Sequence, residues 1–332
     1  MSDWVALSDR TDLNPAVPDA LEAGLFVLEY RLPILEPVVL LQFQADQPFA
    51  RGFSVFFDPV AGISILHRQG SELRRHRLPG PIYQRQGIGR LTFAFDVARQ
   101  SWRLSHAMLG EAPGEGQSIQ GSQLLPVLTG DLHALACDGP ECRRHAAVLW
   151  FGLSQNRALP PRAAWVGLNT PIDTRRGPVR AGLLRPGDMI ATLEDGFQPL
   201  RAVTRQSFPS RGSFAPVVLR SPFFGETTDL LVSADQLVLI SGASVEYLFG
   251  VDEALIPAGA LCDDRVAVKD DRRALTDAVM LDMGSPQAIV ADGCCLVSAH
   301  ADGARLPRRA LKDYEALPLL ALLGRTSLRY VA

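Results

Sequence analysis

Hydrophobic and polar positions alternate over short stretches in the first half of the chain, and Pro, Gly and Asp cut the stretches apart. Gly24–Leu32, Val38–Ala45 and Phe53–Phe57 are rich in β-branched, aromatic and aliphatic residues, the composition of pleated, half-buried strands. Asp58-Pro-Val-Ala-Gly62 then turns the chain into Ile63–His67, as in a hairpin with a short loop. Along Leu91–Val97, the residues Leu91, Phe93, Phe95 and Val97 share one face by a period of two, and Ser101–His106 follows as the partner strand. Further strands are expected at Asp131–Ala136 and Ala146–Phe151. Short antiparallel strands with regular turns and almost no helical period predict a β-sandwich, lectin-like or jelly roll in layout, over residues 1–158.

Pro160 and Pro161 punctuate the chain next, because consecutive prolines remove donors and favour extended backbone. Residues 159–165 read as a Pro-rich linker, 166–300 as a second all-β domain and 301–332 as a tail. Strands of the second domain are expected at Val179–Leu184, Met189–Thr192, Leu200–Arg205, Pro216–Arg220, Leu230–Ser233, Leu237–Ile240, Val266–Lys269 and Gln287–Val290. In the tail, Leu311, Tyr314 and Leu317 fall at helical spacing, with Pro318 interrupting the pattern.

The second domain carries an ordered series of turns: Thr174-Arg-Arg-Gly177, Leu184-Arg-Pro-Gly-Asp188 and Asp195-Gly-Phe-Gln-Pro-Leu-Arg201. Asp229–Leu239, Leu248–Glu253 with Ile256-Pro-Ala258, and Ala291-Asp-Gly293 continue it. In order and spacing this series resembles the Hint domain of the hedgehog and intein superfamily, particularly its bacterial, alphaproteobacterial versions. The resemblance implies an all-β fold built for self-cleavage. A Cys or Ser at the first residue attacks the preceding carbonyl, a His protonates the departing amide nitrogen, and polar donors hold the oxyanion.

This chain departs from that pattern where the chemistry sits. Trp165, Val166, Gly167, Leu168 and Asn169 precede the run that begins at Thr170 and offer no thiol or hydroxyl. In the Thr/Ser-x-x-His arrangement that the resemblance implies, Ser233-Ala-Asp-Gln236 places Gln236 where the His belongs, and an amide cannot release and recover a proton near neutral pH. A second His, late in the bacterial versions, falls on Pro286 or Gln287. The positions Gly167, Thr170, Gln236 and Pro286 are therefore read as degenerate, and a binding or scaffold protein is expected. Two rivals stand beside it: autoprocessing with Thr170 as an atypical nucleophile and Gln236 as oxyanion donor, or a glycan-binding module in the sandwich. The partner is then a protein or a glycan.

Composition narrows the remainder. The 332 residues are 47% hydrophobic and 21% charged with formal net charge -3, which argues against nucleic acid as a main partner. No apolar run approaches the ~20 residues needed to span a bilayer, and the early acids of the N-terminus do not make a secretory signal. A cytoplasmic location, or export without a cleaved signal, is expected.

The five cysteines fit reduced thiols better than a disulfide framework. His133, Cys137, Cys142 and His145 have metal-ligand chemistry at irregular spacing; unpaired thiols, a disulfide and zinc are all open there. Cys294 and Cys295 are adjacent on a strand, so one is expected inside and one outside. Cys262 lies beside Asp263 and Asp264, which raise a thiol pKa. No cofactor motif is found: Gly110–Gln117 has glycines but no strand-to-helix phosphate spacing. Arg68, Arg74, Arg75, His76 and Arg77 form a basic patch, either a solvated face or a site for an anion. Trp102 and Tyr83 offer stacking surfaces for a sugar.

Overall fold

The computed structural model describes residues 3–10, 18–110, 115–161, 163–301 and 303–323. The chain divides into two compact units, Met1–Pro160 and Pro161–Ala332.

In the first unit the elements run β1 Trp4–Leu7, β2 Ala20–Leu21, β3 Ala23–Leu32, β4 Val38–Ala45, β5 Arg51–Asp58, β6 Gly62–Gln69, β7 Glu72–Pro79, β8 Gly87–Asp96, β9 Ser101–Met108, β10 Gln117–Gly121 and β11 Val127–Leu128. Helix α1 Thr129–Ala136, β12 Cys142–Arg144 and β13 Val148–Ser154 complete it. One large sheet has the order β1-β13-β3-β8-β9-β10 and a second β12-β4-β5-β6-β7, with β11 and β2 paired separately. Alternation dictates what each sheet buries. Phe53, Val55 and Phe57 of β5 lie opposite His67, Ile65 and Ile63 of β6, and Ile65 and Ile63 lie opposite His76 and Leu78 of β7. The apolar members of these rows pack with Phe26 and Leu28 of β3 and Leu91, Phe93 and Phe95 of β8 in one core between the sheets, the arrangement of a β-sandwich. The turn between β5 and β6 requires glycine: Gly62 has φ 105°, and a Cβ there would lie 2.0 Å from the Leu78 carbonyl.

Polar groups are buried in this unit in different ways, Glu29 on the sheet face away from this core and the two histidines within it. Glu29 is fully buried and accepts from Arg90 Nε and Nη2 at 3.0 and 2.8 Å and from Trp150 Nε1 at 2.6 Å. His76 is 1% exposed between the rings of Phe93 and Trp102, each 4.8 Å away, and both its ring nitrogens lack a hydrogen-bond partner. His67 packs edge-on to Phe53; its Nε2 meets Gln69 Nε2 at 3.1 Å and its Nδ1 has no partner. Burial pushes both histidines down to about 4, with a repulsive neighbour adding to it: His76 for His67, and Arg74 for His76.

Two readings of the first unit need correction. Asp131–Ala136, expected as a strand, belongs to α1, where Leu132, Leu135 and Ala136 are buried at helical spacing on one face. Trp102 is not a free platform: it packs on His76 and Phe93, and its indole N–H donates to the Ser122 carbonyl at 2.9 Å. Residues 111–114 of the Gly110–Gln117 loop lie outside the described residues.

The second unit holds two more antiparallel sheets. One orders Ala202–Pro209, Leu275–Asp282, Val166–Gly167, Leu230–Val232, Val217–Leu219 and Ala267–Lys269 side by side. The other orders Gly177–Arg180, Pro171–Thr174, Met189–Thr192, Ala288–Ala291, Cys294–Val297, Leu237–Ser241 and Glu253–Pro257, with Gly196–Pro199 paired to Met189–Thr192. The strand expected at Val179–Leu184 ends at Arg180, where a 3₁₀ turn over Ala181–Leu183 begins. Cys294 and Cys295 are both buried, because each face of this sheet is covered. The tail helix Asp313–Leu323 forms, with Pro318 inside it. Its packed face is Ala316 and Leu319 rather than the expected stripe, since Tyr314 and Leu317 are exposed. No helix among the described residues is long and apolar enough to cross a membrane.

Candidate functional site

The head of the second unit is built by pairing on both sides. Val166 lies opposite Val232 and Val279, and Gly167 lies opposite Ala278. One residue earlier, Trp165 N–H donates to Ser233 Oγ at 3.3 Å, and Ser233 N–H donates to the Trp165 carbonyl at 3.0 Å. The Ser233–Gln236 segment is thus laid against the Ala164–Trp165 peptide. Both residues of that peptide are buried, and the Trp165 indole stacks on Phe208 with centroids 5.4 Å apart and planes 21° apart.

Gln236, 2% exposed, does not reach toward the head. Its Nε2 donates to the Leu237 carbonyl at 3.1 Å and to the Val297 carbonyl at 2.8 Å, which occupies both amide hydrogens. Thr170 N–H donates to the Gly167 carbonyl, and its hydroxyl, buried, donates to the Leu231 carbonyl at 3.4 Å. A threonine serves as nucleophile only with a base to take its proton, and here that proton faces a carbonyl oxygen. At Gly167 a Cβ would sit 3.1 Å from Leu231 Cβ, so a side chain there would need Leu231 to give way by a few tenths of an ångström. Pro286 precedes Gln287, whose N–H donates to Ser298 Oγ at 3.1 Å. His300 was not singled out from sequence; it follows the last strand and holds the Ser298 carbonyl through Nδ1 at 2.8 Å.

Four of the thiols are pushed toward the protonated form. Burial, then Glu226, pushes Cys294 far up; burial pushes Cys295 up to about 11, with Glu194 adding to it. Burial also raises Cys262 and Cys142, and a thiol in that state is a poor nucleophile. His133, Cys137, Cys142 and His145 do not converge on a point. Cys137 Sγ is 3.9 Å from His133 Nε2, whereas His145 Nδ1 accepts the Ala147 N–H. Among the described residues no three His, Cys, Asp or Glu side chains gather as metal ligands.

An acidic centre stands beside Cys294. Glu226 is 1% exposed; its Oε2 accepts the Phe224 N–H at 2.8 Å and its Oε1 has no partner. Burial raises its carboxyl to about 7, with Asp229 and Asp292 adding to it. The loop that carries it is clamped to the turn at Asp292, whose carboxylate accepts from the N–H and hydroxyl of both Thr227 and Thr228.

On the sandwich, the outward face of the five-stranded sheet carries a cavity of about 430 Å³. Its floor is Val38, Val39, Phe56 and Leu66, and Arg75 and Arg77 stand along one side.

The family model of the Hint domain matches residues 167–303. No curated protein matches the chain. Among solved structures, the chain is similar to the Ruminococcus gnavus IT-sialidase CBM40, at 13% identity over 42% of this chain and 79% of that one, with TM-score 0.29. The same module bound to α2,6 sialyllactose gives 14% identity, 48% and 89% coverage and TM-score 0.31. The native heptameric SAP-like pentraxin of Limulus polyphemus gives 12% identity, 46% and 96% coverage and TM-score 0.20.

Proposed function

Starting from a Hint domain over residues 167–303, we propose that self-processing has been lost and that the protein acts by binding, with the Hint fold kept as a scaffold and the sandwich as the recognising half. The observation that carries this is the pairing of Trp165 with Ser233 beside a Gln236 whose amide is spent on Leu237 and Val297. Cleavage by the family chemistry would need an attacking sulfur or oxygen at the head and a proton donor for the departing nitrogen. The indole supplies no nucleophile, and the amide supplies no proton. Purified full-length protein is expected to stay a single species of about 36 kDa through long incubation with thiol or hydroxylamine. Intact-mass spectrometry checks this, and fragments ending near residues 164–170 would overturn it. Thr170→Ala is expected to leave that mass behaviour unchanged apart from the substitution itself.

A glycan partner for the sandwich is favoured by Tyr83, which is 74% exposed on the β7–β8 loop and carries a ring that can stack on a sugar. Binding of the full-length protein on a glycan array, lost in Tyr83→Ala, supports that reading; an array without signal sets it aside.

A further inference from the structure

We infer that the outer face of the five-stranded sheet is a recognition site for a small carboxylate with an apolar body. The inference rests on the sandwich being the recognising half, and not on the fate of the Hint chemistry. It begins with register. Val39, Phe56, Ser64 and Arg77 form one row across β4, β5, β6 and β7, and Gln42, Ser54, Leu66 and Arg75 form the next. Since Phe57, Ile63, Ile65 and Leu78 point into the core, alternation puts both rows on the opposite face. The two apolar residues at the middle of the rows, Phe56 and Leu66, are half-buried, and the two arginines at their ends are exposed.

Geometry fixes the charge beside the apolar floor. Arg77 donates one N–H to the Ala61 carbonyl at 3.0 Å, and Arg75 donates one to Ser64 Oγ at 3.3 Å. Neither forms an ion pair among the described residues, so most of each five-donor fork stays available. The acid on the lining is Asp58, whose Oδ1 accepts the Val60 and Ala61 N–H groups at 2.8 Å each. Those two bonds hold its carboxyl below the usual range, and Arg77 adds to the effect. One carboxylate against two guanidiniums leaves one positive charge over.

The lining decides the class of ligand. A cavity of about 430 Å³ is small-molecule sized, and a guanidinium fork matches a carboxylate in two parallel bonds. The one neutral hydroxyl on the wall, Ser64, already accepts from Arg75, so a polyol finds few partners there. An apolar body does find them. The loops at this end of the sheet also present Leu35, Val60 and Tyr83, 74%, 78% and 74% exposed, and they are tied together by the Ile82 N–H on the Pro59 carbonyl and the Ile34 N–H on Gln84 Oε1.

Calorimetric titration of the full-length protein with 4-phenylbutyrate, 4-phenylbutyramide, acetate and lactose tests the site. Saturable binding of 4-phenylbutyrate is expected, with the amide and acetate each at least about tenfold weaker, as loss of the charged pair or of the apolar body demands. In the double variant Arg75→Gln, Arg77→Gln the carboxylate should lose at least about tenfold as well. Both positions are exposed, so an unchanged thermal midpoint is expected to accompany that loss. No binding of 4-phenylbutyrate, equal binding of its amide or of acetate, or wild-type affinity in the double variant would each overturn the inference. Binding of lactose without the carboxylate would overturn it too, while leaving the sandwich as the recognising half.

Discussion

Acidification from about pH 7 to about pH 4.5 should lower the unfolding free energy of the sandwich by roughly 5 kcal/mol. The cause is the buried pair His67 and His76, held down to about 4 by burial. An unfolded chain protonates its histidines near the ordinary value of 6.5, and the folded sandwich does not. Between 6.5 and 4 the unfolded state therefore binds more protons, and stability is lost as pH falls through that window; above 6.5 nothing is lost. Each group contributes up to about 3 kcal/mol by the end of the window. The surroundings offer no relief: Phe53, Phe93 and Trp102 pack on the rings, and Arg74 is the near charge. His76→Leu should raise stability near neutrality by about 1 kcal/mol, because two ring nitrogens without partners disappear, and it should remove about half of the acid loss. Urea unfolding followed by tryptophan fluorescence reports the event, since Trp4, Trp102 and Trp150 all lie in the sandwich. A midpoint independent of pH over that range would contradict the account.

Glu226→Gln is expected to stabilise the Hint domain by about 2 kcal/mol near pH 8 and to change little near pH 5. The sign is opposite to that of the histidines. Burial holds the folded carboxyl up to about 7, with Asp229 and Asp292 adding to it, against about 4.5 when unfolded. The folded state therefore binds the extra proton, and the stability this confers is present below 4.5 and lost as pH rises through 7. Among the described residues Asp229, Asp292 and the Cys294 thiol are the ionisable groups that act on it, and none of them is a cation. The substituted amide keeps an acceptor for the Phe224 N–H. Thermal unfolding of wild type and variant from pH 5 to pH 9 gives the difference directly, and a gap that does not widen with pH would refute the assignment.

What could be read from the chain followed from periods and punctuation. The alternation at Leu91–Val97 and the turn at Asp58–Gly62 carry the sandwich, since a period of two has only one reading when the strand is flanked by turns. The Hint segments were legible through their ordered turns, and Gln236 through its place after Ser233. Asp131–Ala136 misled because six residues give barely two helical turns; the buried Leu132, Leu135 and Ala136 settle it only when seen against β1 and β4. The tail stripe misled for a related reason: Leu311, Tyr314 and Leu317 have helical spacing, but Leu311 precedes the helix and pairs with Leu255 instead. The cavity beside Arg75 and Arg77 was legible only as a basic patch. Its apolar floor comes from Val39 and Phe56, and only four-strand register brings those residues to the arginines. Glu226 gave no signal at all, because burial of a single carboxylate depends on the turn at Asp292, far along the chain.

If self-processing has been lost as proposed, the stack of Trp165 on Phe208 makes that loss hard to undo. A change of Trp165 to Cys would place a thiol at the head but empty the space that the indole fills, at a cost of about 3–5 kcal/mol. Gln236→His alone would restore a proton donor while releasing the Val297 carbonyl from its bond in a buried sheet. Each step back is unfavourable before the other has been made. On that proposal the packing at the head works as a ratchet, since Trp165 and Gln236 are each held by contacts that a return to the chemistry would have to break.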